Sequence, residues 1–372
     1  MDRKAHLFIL LLRLGIGTIK ASDKECEALL ALSMGQWQEV MELADRQGMT
    51  AIVFDGAQRF FEVYSEEIGA AKDSQEEWIL WVLECGGIMN AYEQLSLMQR
   101  KVIGEVAKTL HRNGIRMVIF KGQANASLYP VPIHRAKGDI DCYLFGEADR
   151  GDSLLEGMGA KVENNWYRHS KVYYHGETIE NHRVLSHTRG SKTKKRMERE
   201  LVRMLQSSEL KNLEGCGRAL MPTAQFNACF LIYHALHHFT SEGLKMKQIT
   251  DWAMFLKECQ GEVDWKAFNE FCKRYRLDRF ASAMNYIAIE RLGIVPTTEG
   301  IVTDDTYADR ILRSTLYDDE NLFNSGKSDW TVRYLLVKNM LTRDRWKYRD
   351  IAQQNVLHHL WENISGYLFE RE

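Results

Sequence analysis

Proline is nearly missing from this chain: only 4 occur among 372 residues. Long stretches therefore lack the residue that removes a backbone donor and clashes with the preceding helical turn, so a mostly helical protein is expected. Paired cysteines are missing too. The 7 cysteines, Cys26, Cys85, Cys142, Cys216, Cys229, Cys259 and Cys272, are odd in number and form no CxxC pair. That speaks against a disulfide scaffold or a ribbon-type zinc site and for reduced thiols in a cytoplasm. No sign of charge dominates, because 49 Lys plus Arg stand against 51 Asp plus Glu. The chain has no overall electrostatic footprint for nucleic acid or an anionic membrane. A membrane-spanning run is also not visible. The apolar stretch Leu7 to Leu12 ends at Arg13, too short for a bilayer, and reads as an amphipathic first helix rather than a signal peptide. No internal repeat, low-complexity tract or lipidation motif is found.

What is present is an ordinary folded composition, 45% hydrophobic and 27% charged, in a length that suggests about two or three domains. From Cys26 to Asn113 apolar residues return at three- and four-residue spacing, as in Trp37 to Gln47 and Glu76 to Leu110, which predicts successive amphipathic helices. The pattern changes at Ile115. Met117 to Phe120 is a short, partly β-branched apolar run ended by Lys121-Gly122, which predicts a buried strand and a tight turn. Gln123 to Tyr129 is a short helix closed by Pro130 and Pro132, and a loop carries His134, Arg135 and Lys137. Asp139 to Phe145 is the second strand, Ala148 to Met158 a helix, and Lys161 to Trp166 and Lys171 to Asn181 further strands. A basic segment, Lys192 to Arg203, begins a second helical region with apolar segments at Ala224 to Phe239 and Trp265 to Leu292. Glu198 and Glu200 interrupt the basic run, so a solvated helix face is favoured over a nucleic-acid contact. Trp252, Trp265, Trp330 and Trp346 are read as core anchors. The expected fold is α+β: an N-terminal helical region over 1–90, a small mixed core over 91–190, and a C-terminal helical region over 191–372.

Chemistry concentrates in that core. Residues two apart on a strand share a face roughly 6–7 Å apart, so Asp139 and Asp141 project together. Their mutual repulsion is on the order of 2–3 kcal/mol at an effective dielectric of about 20, which a divalent cation would reverse. Hard oxygen ligands shared with phosphates suit Mg²⁺, with Mn²⁺ as the alternative. Thr178, Glu180 and His182 share one face of a later strand, and a neighbouring position would add Glu180 as a third carboxylate. Lys121 offers a point charge, Gly122 a close backbone approach and Arg135 a planar fork, all suited to phosphate. His234 and His238 share a helix face with His237 adjacent, a spacing open to metal, polar packing or the wall of a cleft. Thr250 or Asp251 could start the helix through Leu256.

Phe120-Lys121-Gly122, Leu128-Tyr129-Pro130, Arg135, Gly138-Asp139-Ile140-Asp141 and Ile179-Glu180-Asn181-His182 together resemble the uncharacterised bacterial nucleotidyltransferase family of the DNA polymerase β-like superfamily. The resemblance is densest over Ile115 to Phe145, continues to His187 and thins over His234 to Leu256, where Asp251 stands at the family's acidic position. Asn181 replaces an apolar residue, and Lys121-Gly122 stands where the wider superfamily has Gly-Ser. The resemblance implies a mixed sheet, metal held by Asp139, Asp141 and Glu180, and a nucleoside triphosphate donor contacted by Lys121, Gly122, Arg135 and His182. The expected activity is cytoplasmic, Mg²⁺-dependent transfer of a nucleoside monophosphate to an acceptor hydroxyl with release of pyrophosphate. The acceptor is open: small molecule, sugar, protein side chain or RNA end. The competing expectation is a nucleotide-binding or protein-interaction module without transfer.

Overall fold

The computed structural model describes residues 1–65, 75–163, 168–186, 188, 191–207, 209–317, 328–357 and 359–361. Three helices open the chain: α1 (Arg3–Gly15), α2 (Met34–Arg46) and α3 (Thr50–Val63). Ser33 starts α2 with a capping box, its hydroxyl accepting from the Gln36 N–H while the Gln36 side chain accepts from the Ser33 N–H. Two of the donors that a first turn leaves free are thereby satisfied. α1 is not the amphipathic helix expected. Leu7, Phe8, Leu10, Leu11, Leu12 and Leu14 are all buried, because α1 packs on α2 and α3 within an apolar core shared with the C-terminal helices. Gly15 and Gly56 let α1 and α3 cross closely. A Cβ on either would enter the opposite backbone, at the carbonyl oxygen of Ile52 or of Leu11.

Helix α4 (Gln75–Arg112) runs into the sheet region, where Asn113 and Gly114 end it with Gly114 at φ 76°. Strand β1 (Val118–Phe120) leads through Lys121 into the short α5 (Gly122–Ala126), and β2 (Ile140–Tyr143) follows. Then come α6 (Ala148–Gly157), β3 (Lys161–Glu163), β4 (His169–Tyr174) and β5 (Glu177–His182). The remainder of the strand expected to Trp166 lies outside the described residues, as do His187 and Arg189. One expected strand, Lys171 to Asn181, is two: His175 (φ 48°) and Gly176 (φ 78°) turn it into a hairpin. Successive positive φ angles match the twist of the flanking strands and reverse the chain in two residues.

After α7 (Lys192–Gln206), two strands that sequence patterning missed, β6 (Lys211–Asn212) and β7 (Leu220–Met221), complete a seven-stranded sheet in the order β3-β4-β5-β2-β1-β7-β6. At two residues each, they are too short to show a period. The sheet is mixed: β2–β5 and β1–β7 are parallel, the other pairs antiparallel. The fold is α+β, as expected. Ile119, Ile140, Cys142, Val172 and Ile179 pack with α4 and α6 on one face, whereas Val118, Phe120 and Tyr143 belong to the larger helical core on the other.

The C-terminal region comprises α8 (Ala224–Ser241), α9 (Met246–Cys259), α10 (Trp265–Tyr275), α11 (Asp278–Tyr286), α12 (Ala308–Tyr317) and α13 (Asp329–Leu341). The apolar stretch from Trp265 to Leu292 is broken at Arg276, whose left-handed φ of 59° ends α10. Helix α9 starts at Met246, so neither Thr250 nor Asp251 caps it. Trp252, Trp265 and Trp346 are buried, but Trp330, in the first turn of α13, is 83% exposed and is not a core residue. Among the described residues no helix is long and apolar enough to cross a membrane.

Candidate active site

The site forms where β2 and β5 run side by side. Their parallel register sets Asp141 opposite Glu180 and Tyr143 opposite His182. Alternation puts Asp141, Glu180 and His182 on the face turned toward α8, while Ile140, Cys142, Ile179 and Asn181 face the other way. Asn181, the departure from an apolar residue, is buried there and donates to Asp152 Oδ1 at 2.7 Å and the Ala148 carbonyl at 3.0 Å. Among the described residues, the one group of three or more potential ligands close enough to share an ion is Asp141, Glu180 and His182, with donor atoms within 4.8 Å of one another.

Lys121 enters this group from the end of β1, where it adopts φ 50° and ψ −141°. Positive φ is uncommon for a residue with a side chain and is held by its surroundings. Its ammonium donates to Asp141 Oδ1 at 2.9 Å, and His182 Nε2 lies 2.9 Å from the same oxygen. Burial alone would raise the Asp141 pKa. The Lys121 charge and the His182 contact outweigh it and hold the carboxyl well below the usual carboxylate range. Glu180 behaves in the opposite sense: burial, then the charges of Asp141 and Asp139, raise its pKa despite His182. The nearest nitrogens, His169 Nε2 at 3.5 Å, His182 Nε2 at 3.7 Å and Lys171 Nζ at 3.9 Å, are too distant for good hydrogen bonds. His169 faces His182 across the hairpin, and burial followed by the His182 and Arg168 charges lowers it to about 4. Sequence patterning misses it, because the run that forms the hairpin reads as one strand.

α8 closes the face. Phe226 and Phe230 pack on Phe120, the next turns of the same helix present His234 and His238, and Glu242 follows as its C-cap. The Lys121 ammonium donates to His234 Nε2 at 2.8 Å, which lies 3.2 Å from His238 Nε2, and His238 Nδ1 lies 3.1 Å from Glu242 Oε2. Burial, then Lys121 and His238, push His234 far below the ordinary histidine value, so it is the neutral acceptor that Lys121 needs. His237 instead lines a neighbouring cavity of about 600 Å³, which meets this chain of contacts through Glu242 and contains none of Lys121, Asp141, Glu180 or His182.

The remaining expected residues lie around this centre. Asp139, one position before β2, is exposed and outside the three-ligand group, although its charge reaches Glu180. The loop before it is fixed by Gln99, which donates to the Gly138 carbonyl at 2.8 Å and to Glu177 at 3.0 Å, and by Lys137, which donates to Glu177 at 2.7 Å. Gly122 follows Lys121 with φ 36° and opens α5. Arg135 is buried against Asp251, with Nε to Oδ1 and Nη2 to Oδ2 both 2.7 Å, and Tyr129 donates to the same carboxylate at 2.8 Å. Its fork holds a protein carboxylate where a phosphate was expected.

Carboxylates side by side on neighbouring strands of a mixed sheet, with a lysine at the adjoining strand-to-helix turn, form a donor set suited to phosphoryl or nucleotidyl transfer. Residues 33–293 match the model of the family described as uncharacterised nucleotidyltransferase, most of the chain, and the protein belongs to that family. No curated protein and no solved structure gives a match.

Proposed function

We propose that the protein is a cytoplasmic Mg²⁺-dependent nucleotidyltransferase of the DNA polymerase β-like kind, moving a nucleoside monophosphate from a nucleoside triphosphate to an acceptor hydroxyl with release of pyrophosphate. The observation that carries this reading is the in-register pairing of Asp141 with Glu180 beside Lys121. The donor set fits a hard divalent ion: burial and then the Asp141 charge raise the Glu180 pKa, a cost that a cation between the two carboxylates would relieve, and Asp139 adds a third carboxylate within electrostatic range. Asp139, Asp141 and Glu180 would hold Mg²⁺ or Mn²⁺, which supplies charge neutralisation at the phosphates when bound.

The chain's own groups have distinct parts. Lys121 exchanges its contact with Asp141 for one to a donor phosphate, and Gly122 lets the α5 backbone approach the same group. His182 keeps Asp141 oriented and borders the nucleotide. Glu180 completes the carboxylate set or accepts the proton of the acceptor hydroxyl. Arg135 acts through Asp251, setting the loop that leads to Asp139. The test is incubation of the protein with each α-labelled NTP and Mg²⁺, with and without cell extract, beside Asp141→Asn. Label transferred by wild type and lost in the variant, which keeps the wild-type fold by circular dichroism, is expected. Nucleotide bound in a Mg²⁺-dependent way with no label transferred by either would instead make this a binding protein.

A further inference from the structure

We propose that Lys247 is a second phosphate-binding lysine of this site, placed to take a β- or γ-phosphate oxygen of the donor triphosphate. The inference rests on the transferase reading and supplies a cation that the sequence-based set lacked, since Arg135 is committed to Asp251.

Lys247 lies in the first turn of α9, half-buried, one turn before Asp251. Its Cδ runs against Gly48, and its Nζ reaches Gly138, where an added Cβ would lie 3.7 Å away. Gly138 is the residue before Asp139, so the ammonium stands where the chain enters β2, while Lys121 stands at Asp141 within the strand. Among the described residues nothing pairs with Lys247: it has no hydrogen bond and no ion pair. The largest charge effects on it come from Arg135, Asp251, Lys245 and Lys121. Three are cations. The one anion, Asp251, already has its oxygens taken by Arg135, Tyr129 and Asn125.

An ammonium with that company is unfavourable as it stands; burial, then Arg135, lower its pKa to about 8. A bound polyphosphate reverses the sign of the interaction for Lys247 and Lys121 together. Lysine suits the task, because its compact charge contacts a single phosphate oxygen without requiring the planar geometry of a guanidinium. A residue kept for binding rather than folding carries a recognisable pair of effects: removing its charge leaves the free protein as stable or more so, and weakens only ligands with a polyphosphate tail.

Calorimetric titration of the full chain tests this, using inorganic tripolyphosphate as a base-independent probe, the four NTPs, and the monophosphate of whichever NTP binds best, all with Mg²⁺. Lys247→Met and Lys247→Gln are expected to weaken tripolyphosphate and NTP by on the order of tenfold or more, the size of one charge-assisted hydrogen bond, with monophosphate affinity unchanged. Both variants should melt no lower than wild type without ligand. Wild-type affinity for tripolyphosphate and NTP in both variants overturns the role of Lys247 and leaves the transferase reading standing. So does equal weakening of the monophosphate, which would mark a structural effect. A wild type that binds neither NTP nor tripolyphosphate overturns the transferase reading and this assignment with it.

Discussion

Arg135 and Asp251 show how a residue type can be right and its partner wrong. An arginine three residues before a Gly-Asp-Ile-Asp motif reads as a phosphate ligand, yet its partner lies 116 positions away on α9. The two side chains are only 6% and 7% exposed, and Tyr129 and Asn125 satisfy the remaining carboxylate lone pairs. A buried pair of this kind is expensive to break from one side, because the survivor is a buried charge with no counterion. Arg135→Met or Asp251→Leu alone should each lose about 3–5 kcal/mol of unfolding free energy. Combining them should cost less than the sum of the two, because no unpaired charge remains. Arg135→Lys should not rescue, since an ammonium cannot make the two parallel bonds. Urea unfolding of the four variants measures all of this. Strict additivity would show that the two residues do not act as a pair.

At the scale of elements, legibility followed distance along the chain. The Asp139 to Phe145 strand, the Lys121-Gly122 turn and the helices over Trp37 to Gln47 and Ala224 to Phe239 are local patterns, and each has its counterpart within a few residues. The pairing of Asp141 with Glu180 is not local. It depends on β5 lying next to β2 in one register, and a shift by one residue would turn Glu180 to the opposite face. On the other side of β5 its partner β4 is joined to it by the hairpin at His175-Gly176, where a histidine followed by glycine is a weak turn signal in a run of strand-forming residues. Asparagine tolerates positive φ better than histidine and is the preferred partner of glycine in such turns. His175→Asn should therefore raise stability by about 0.5–1 kcal/mol without altering nucleotide binding. A lower urea midpoint would mean that the His175 side chain contributes something a turn residue does not.

On the scale of the whole molecule, the site is held from both ends of the chain. Gln47 joins α9 to α12, accepting from the Met246 N–H at 2.9 Å and donating to the Thr315 carbonyl at 3.0 Å, while Lys257 donates to the Ile16 carbonyl at 2.9 Å. His134 performs the same service for the loop before β2. Its Nδ1 lies 2.8 and 2.9 Å from the two oxygens of Asp55 on α3, and its Nε2 lies 3.1 Å from Glu93 on α4. A histidine with a carboxylate at each nitrogen donates from both only when protonated. Burial opposes that charge, but Asp55 and Glu93 outweigh it and raise the His134 pKa above 6.5. Because the folded state binds this proton more tightly than the unfolded one, the stabilisation is complete below the unfolded value and declines as pH rises through the raised folded value. The melting temperature of wild type should thus exceed that of His134→Gln most at about pH 6, with the gap narrowing toward about pH 9. A gap that is constant across this range would show that the imidazole is held by shape alone. A narrowing gap would identify His134 as the point where the N-terminal helices sense proton concentration, one residue from the arginine whose loop leads into the aspartate strand.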